Sequence, residues 1–311
     1  MSREEFRYAL VPKRPYSLAR TAARLAAFPE VVDCFENGLY RRLVYVRNHP
    51  HLLEVTERGA PSRALLDVTI SGTRANTTEA KRFVEGVLDS VFRVRTDVAS
   101  FYRKFGNDPL LGPLIKEHRG LRVVGRATIW ETLIQIVISQ QINLKFAHSI
   151  LCALATALGR KARFDGKLYF NFPSPARVAK MTIEDLRSFR LSQSKSETLS
   201  RLAKAFRAGD LSEEQFASMP DDELIELLMS FKGVGKWTAE FTLLRGCSRL
   251  DVFPAGDLGV VKYFAKEMLG YEAPAREESM REFAERWRPY RGLALIYVYA
   301  ELARRMNKST Q

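Results

Sequence analysis

Residues 228–241 read Leu-Met-Ser-Phe-Lys-Gly-Val-Gly-Lys-Trp-Thr-Ala-Glu-Phe, and no other stretch constrains the chain as tightly. An apolar helix runs into Gly233-Val234-Gly235 and a second helix leaves at once. Glycine at both turn positions permits φ > 0 and the close approach of another backbone. Amide groups freed at the turn and at the start of the second helix can point at one phosphate, with Lys232 and Lys236 beside them. A tight turn between two packed helices asks for the same glycines, so the turn alone serves either purpose.

The charge balance favours the phosphate. The chain holds 49 Lys and Arg against 36 Asp and Glu, a formal net charge of +13. An excess of this size in a chain of ordinary globular composition points to a polyanionic partner. Two basic clusters stand out: Lys116, Arg119, Arg122 and Arg126, then Arg187, Arg190, Lys195, Arg201, Lys204 and Arg207. They read either as solvated faces or as two flanks of a phosphate-binding groove. Nothing apolar follows Met1-Ser-Arg-Glu-Glu, and no window approaches the roughly 18 apolar residues of a membrane span. The expected location is therefore cytoplasmic and nucleoid-associated, or nuclear in a eukaryote. Cys34, Cys152 and Cys247 fit no disulfide or cluster spacing and are expected inside, as small apolar residues. His49, His51, His118 and His148 have no ligand spacing, so no catalytic metal is expected.

With 311 residues, two or three domains are expected. Residues 1–105 read as α+β: a helix over 16–28, strands over 41–47, 51–56 and 64–70, and a helix from Asn76 with the apolar stripe Phe83, Val84, Val87, Leu88 and Val91. Paired antiparallel strands with a helix against them make one such layer. Gly106-Asn107-Asp108-Pro109 marks the boundary. Residues 106–311 read as all-α, with helix starts at Thr128, Ser174-Pro175, Thr182 and Ser212, and a frayed tail over 307–311.

Asp257 follows Pro254 and Gly256 and opens a helix with Leu258, Val261, Ala265 and Met268 on one side. It is a good N-cap, which gives it a structural role outright. The same placement suits chemistry. A carboxylate at a helix N-terminus is favoured as the anion, and beside a sugar it stabilises an oxocarbenium-like transition state.

A Gly-Val-Gly hairpin followed by an Asp after a Gly/Pro-rich loop resembles the helix-hairpin-helix/Gly-Pro-Asp (HhH-GPD) DNA glycosylases, within them the 3-methyladenine DNA glycosylase II (AlkA) type. Val137-Ile-Ser-Gln-Gln-Ile142 resembles the segment that enters the duplex where a base has left. Leu244-Arg-Gly through Asp251-Val-Phe253 and Glu285-Arg-Trp-Arg-Pro-Tyr-Arg291 resemble two further runs of that type. The resemblance implies an α+β chain, its N-terminal sheet layer followed by a two-lobed helical region with the active cleft between the lobes. It makes Asp257 the catalytic carboxylate. Trp237 stands where bifunctional relatives carry a nucleophilic lysine, so the implied reaction is hydrolysis that leaves an abasic site.

The same resemblance implies a base pocket of Trp237, Tyr290 and Phe241, rings that stack on a cationic alkylated purine. The implied DNA contacts are Gly233, Val234, Gly235, Lys236, Thr238, Gln140 and Gln141, and the basic clusters add Lys195. Gln141 takes the place of an apolar wedge, Tyr290 that of a Trp, and Pro254 stands apart from Gly256-Asp257. No cofactor is required, while Na⁺ or K⁺ at Gly233–Gly235 is compatible with the family. The implied partner is duplex DNA with a damaged base, bound by a monomer with no membrane involved. Two alternatives stay open: excision of deaminated bases (hypoxanthine or uracil), and a catalytically silent DNA-binding protein.

Overall fold

The computed structural model describes residues 4–28 and 30–308. Five strands form the N-terminal layer: β1 (Glu4–Leu10), β2 (Cys34–Glu36), β3 (Leu39–Val46), β4 (His49–Arg58) and β5 (Leu65–Gly72). They are antiparallel throughout, in the order β1-β5-β4-β3-β2. In β5, Leu66, Val68 and Ile70 alternate inward with period two and are fully buried. Helix α1 (Leu18–Ala27) and helix α2 (Thr78–Phe92) close that face, α2 through Val84, Leu88 and Val91. Both outer strands escape the sequence reading. β1 is an edge strand whose Phe6, Tyr8 and Leu10 are only half-buried between charged neighbours, and β2 is three residues long.

Helices α3 (Ala99–Phe105), α4 (Leu111–Glu117), α5 (Ile129–Ser139) and α6 (Leu144–Leu158) follow. The expectation of helices alone then fails: β6 (Lys161–Phe164) and β7 (Lys167–Phe170) make a hairpin. Its turn is Asp165-Gly166, both at positive φ, the residue pair that suits a two-residue hairpin turn. Phe164, Ala162 and Tyr169 pack on Leu43, Tyr45 and Leu52, the outer face of the sheet. Next come α7 (Pro175–Val178), α8 (Ile183–Arg187), α9 (Gln193–Ala208), α10 (Glu213–Ser218), α11 (Asp221–Met229) and α12 (Lys236–Gly246). A π-helical turn (Gly259–Phe264) leads into α13 (Ala265–Leu269), then α14 (Glu277–Ala284) and α15 (Arg291–Lys308). The expected tail is therefore helical to Lys308, and 309–311 lie outside the described residues. No helix among the described residues is long and apolar enough to cross a membrane. The three cysteines are free and half-buried, not fully inside as expected.

The helices build two cores. One spans Ile129 to Val252, the other joins Val98–Val123 to Leu244–Leu302. The first lobe is thus inserted into the second. α12 serves both: Ala239 and Leu243 belong to the first core, Leu244 to the second. Whatever its N-terminus carries stands at the junction.

The sheet layer is stapled to the first lobe by buried charge. Arg42 on β3 donates to Asp33 (2.7 Å) and to both oxygens of Glu131 on α5 (2.6 and 2.8 Å). Arg126 donates to Asp33 (2.7 Å) and Glu30 (2.6 Å), and Tyr40 adds a third bond to Asp33 (2.6 Å). Burial pushes the Asp33 carboxyl up, but the two guanidinium groups outweigh it and hold it well below the ordinary range. Arg126 and Arg122 are buried, so half of the first basic cluster is neither a solvated face nor a groove flank. Arg122 instead donates to five backbone carbonyls, among them Lys13 (2.7 Å) and Pro15 (2.9 Å).

Candidate active site

Asp257 caps its helix as its sequence context predicts. Its carbonyl accepts from Val260 and Val261, both at 2.9 Å, while its Oδ2 accepts the Gly259 amide at 2.8 Å. Two side chains from other elements complete the carboxylate shell. Trp237 Nε1 donates to Oδ1 at 2.7 Å, and the Tyr299 hydroxyl on α15 donates to Oδ2 at 2.5 Å. Burial, then the carboxylate itself, push the Tyr299 phenol well above its usual range, so it stays an O–H donor. Gly259 is required here: a Cβ would stand 2.7 Å from Asp257 Oδ2 and 2.8 Å from the Tyr299 ring. Sequence reasoning finds neither Tyr299 nor Gly259. Tyr299 lies far along the chain inside a regular helix and carries no local signal.

Trp237, Phe241 and Arg245 lie at i, i+4 and i+8 on α12 and so share one face. The Trp237 and Phe241 rings meet edge-on at 5.2 Å, and the Arg245 guanidinium lies 5.3 Å from the Phe241 ring centre. The structure thus brings Trp237 to Asp257 and packs the buried Phe241 against Trp237. Tyr290 goes elsewhere: its ring meets Phe101 at 5.7 Å and Phe105 at 6.4 Å in the second-lobe core. It stands just before α15, two and a half turns ahead of Tyr299, and Tyr299 is the tyrosine that reaches the carboxylate.

The hairpin glycines differ from each other. Gly233 has φ +97°, and a Cβ there would stand 2.0 Å from Thr198 Oγ1, so the fold itself demands glycine. Gly235 is the extended N-cap of α12 (φ −94°, ψ 174°), and a Cβ there would meet nothing within 4 Å. Its backbone is bare toward solvent, next to the free amides of the first turn of α12. Val234 is buried in the first core, while Lys232 and Lys236 are exposed.

Besides Val234, three expected DNA contacts turn inward. Gln140 donates to Gly233 O (3.1 Å) and Thr238 Oγ1 (2.8 Å), tying α5 to the hairpin, and Thr238 is buried. Lys195 donates to Ile138 O (2.7 Å) and Gln140 O (2.6 Å), capping α5, and burial lowers its ammonium. A lysine in a basic cluster reads as a phosphate ligand, yet this one reaches helix carbonyls. Gln141 is left exposed, in left-handed conformation at φ +54°. That conformation is uncommon for a residue with a side chain, and it aims this one outward. Of the hairpin carbonyls, Lys232 O accepts from Thr198 (3.1 Å) and Arg201 (3.3 Å), and Gly233 O from Gln140 (3.1 Å).

Comparison with known proteins agrees with this geometry. The HhH-GPD superfamily base excision DNA repair protein family matches residues 134–289, about half the chain. The chain is 30% identical to the DNA-3-methyladenine glycosylase of Bacillus subtilis over 211 residues, 68% of this chain and 69% of that protein. It is 29% identical to DNA-3-methyladenine glycosylase 2 of Escherichia coli over 191 residues, 61% of this chain and 63% of that protein. A solved 3-methyladenine DNA glycosylase from Archaeoglobus fulgidus superposes with a TM-score of 0.80 at 23% identity, covering 95% of this chain and 98% of that one. At that identity the likeness is one of fold, and it extends across the sheet layer and both lobes. With hairpin and capped aspartate at the junction of two lobes, the chain belongs to the HhH-GPD superfamily of base excision DNA repair proteins.

Proposed function

We propose that this protein flips an alkylated purine out of duplex DNA and hydrolyses its N-glycosidic bond, leaving an abasic site and an intact strand. The observation that carries this reading is the pairing of Trp237 with Asp257. An indole N–H occupies the place beside the carboxylate where an amine would have to stand to attack the sugar, so water is the nucleophile. As the C1′–N bond breaks, its electron pair leaves with the base and C1′ becomes positive. Asp257 faces that charge through Oδ1, which has one donor and a lone pair to spare. Water then adds to C1′ through its oxygen, and its surplus proton passes to solvent.

Flipping costs a few kcal/mol, least where pairing is already weak. The bare turn at Gly235 suits a phosphate approaching the α12 amides, and Lys236 adds charge at the same rim. Exposed Gln141 suits the gap left in the stack. Alkylated bases are the named substrates of the relatives from B. subtilis and E. coli. A single copy of the chain supplies every group used here.

The test is base release. Methylated DNA is incubated with wild type and Asp257→Asn, and freed bases are identified by chromatography with mass detection. Release of methylated purines by wild type alone, with strand breaks appearing only after alkali, is the expected result. Release of hypoxanthine or uracil alone from deaminated DNA would replace the substrate class. Tight DNA binding with no release from any substrate would leave a silent DNA-binding protein. Lys236→Glu is expected to weaken all DNA substrates about equally, because it meets phosphate and not base.

A further inference from the structure

Asp257 and Trp237 meet from two separate segments, the loop 253–257 and helix α12, with twenty residues between them. One side chain of α14 bonds both segments. Arg281 Nη1 donates to Glu240 Oε1 on α12 at 2.9 Å, and to Phe253 O at 3.2 Å, four residues ahead of Asp257. Its Nη2 donates at 2.7 Å to Oε1 of Glu277, in the first turn of α14. The other oxygen of Glu277 lies against Gly256, where a Cβ would stand 2.7 Å from it. That carboxylate is thus packed on the backbone next to Asp257. Arg281 and Glu277 together touch the loop at two points and α12 at one.

This bridge is not a surface ion pair. Glu240 is only 3% exposed, and its Oε2 is buried with no partner among the described residues. A buried carboxylate depends on its cation for its place. Glu240 lies about one turn past Trp237, so what fixes Glu240 fixes the indole. The loop's own bonds, Ala255 N to Phe253 O (2.8 Å) and Asp257 N to Pro254 O (3.1 Å), shape it but do not join it to α12. We propose that Arg281 is a positioning residue for base excision: it sets the loop 253–257 against α12, so that the Asp257 carboxylate meets the Trp237 indole and faces the sugar. This rests on the glycosylase reading above and assigns the support of its catalytic pair. A misplacement of about 1 Å costs on the order of a hundred-fold in rate.

Arg281→Lys keeps the charge that Glu240 needs and replaces the two-nitrogen fork by one ammonium. Two readouts are taken on the full chain. One is single-turnover release of methylated purines, with the enzyme in excess and its concentration varied. The other is acrylamide quenching of tryptophan fluorescence, which reports on Trp237 because that residue is half-buried while Trp130 and Trp287 are buried. The saturated rate is expected to fall about ten- to a hundred-fold. Quenching should rise, while the half-saturating concentration and the urea midpoint stay near wild type. Wild-type rate and quenching in the folded variant, or weaker DNA binding with the saturated rate unchanged, overturn the positioning role. No release of any base by wild type overturns the glycosylase reading, and quenching then still decides whether Arg281 sets the contact of Trp237 with Asp257. Glu277→Gln frees Arg281 Nη2 from its partner's charge at a half-buried site. It should show the same two changes in weaker form, and it decides the matter if Arg281→Lys does not fold.

Discussion

Asp257 and Asp33 are both ringed by donors, and the rings differ in charge. Asp33 is fully buried and receives two guanidinium groups and a tyrosine. Its negative charge is cancelled in place. Asp257 receives an indole N–H, a phenol O–H and a backbone N–H, all neutral. These donors fix the orientation of the carboxylate and leave its charge uncancelled. A charge that is to meet a developing cation has to be held this way. One that is to join two domains has to be matched. The two sites show how similar hydrogen-bond counts serve opposite ends.

The sharpest break between them comes from the same substitution at each. Asp257→Asn should lower base release by about 10²- to 10⁴-fold, in the range typical of a removed catalytic proton-transfer or charge-stabilising group. DNA affinity and thermal midpoint should stay near wild type. Asp33→Asn should do the reverse, costing about 3–5 kcal/mol of stability because Arg42 and Arg126 lose their counter-charge in the interior. Urea unfolding reads the second effect and single-turnover release the first. If Asp33→Asn abolished release in a fully folded protein, the division of labour drawn here would be wrong.

Acid should separate the two sites next. Asp33 and Glu30 are held below their ordinary values, burial being outweighed by Arg42 and Arg126 at Asp33, and by Arg126 and His148 at Glu30. Their contribution to stability is therefore complete above the unfolded carboxylate values, about pH 4. It is lost as pH falls through the lower folded values. Glu131 works against this trend, since burial raises it despite Arg42. The urea midpoint should drop as pH falls below about 4, and the drop should be smaller in Asp33→Asn. An equal slope in both proteins would show that the seam does not set the acid limit.

What the sequence makes legible follows from how local each signal is. The hairpin and Asp257 can be read because glycine turns and N-caps act within a few residues, whereas the place of Trp237 beside Asp257, twenty residues away, follows only from the family resemblance. The sheet layer can be read through β3, β4 and β5, whose apolar residues are dense. β1 cannot, because half its apolar face is open to solvent. The interdomain staple is invisible, since Arg42, Arg126 and Asp33 look like surface charges until β3 and α5 come together. Lys195 misleads for the same reason. Nothing local separates a lysine that meets phosphate from one that caps a neighbouring helix. Tyr290 stands just before α15 and Tyr299 lies within it, and the packing of Tyr290 against Phe101 leaves Tyr299 to face Asp257.

A smaller effect tests whether neutral donors suffice to hold Asp257. Tyr299→Phe removes one of three bonds and adds no charge. The loss should slow release by about ten- to a hundred-fold, as for a hydrogen bond to a charged group worth about 1.5–3 kcal/mol. Its KM should stay near wild type if the tyrosine orients the carboxylate and does not touch the base. A matching rise in KM would move Tyr299 into the base pocket.

The mildest contrast lies within the hairpin, where two glycines one residue apart differ as the two aspartates do. Gly233→Ala places a side chain in left-handed backbone, at about 1–2 kcal/mol, and against Thr198 as well. It should lower the unfolding midpoint and loosen the hairpin together. Gly235→Ala adds a methyl in open space at ordinary backbone angles, so stability should move by no more than about 0.5 kcal/mol. Its effect should fall on DNA, weakening binding a few-fold for damaged and undamaged duplex alike, because the methyl stands where the phosphate backbone approaches. Fluorescence anisotropy with both duplexes checks this. Unchanged affinity in Gly235→Ala would place the DNA backbone away from the turn and leave Gly235 a glycine with no structural or binding need for it.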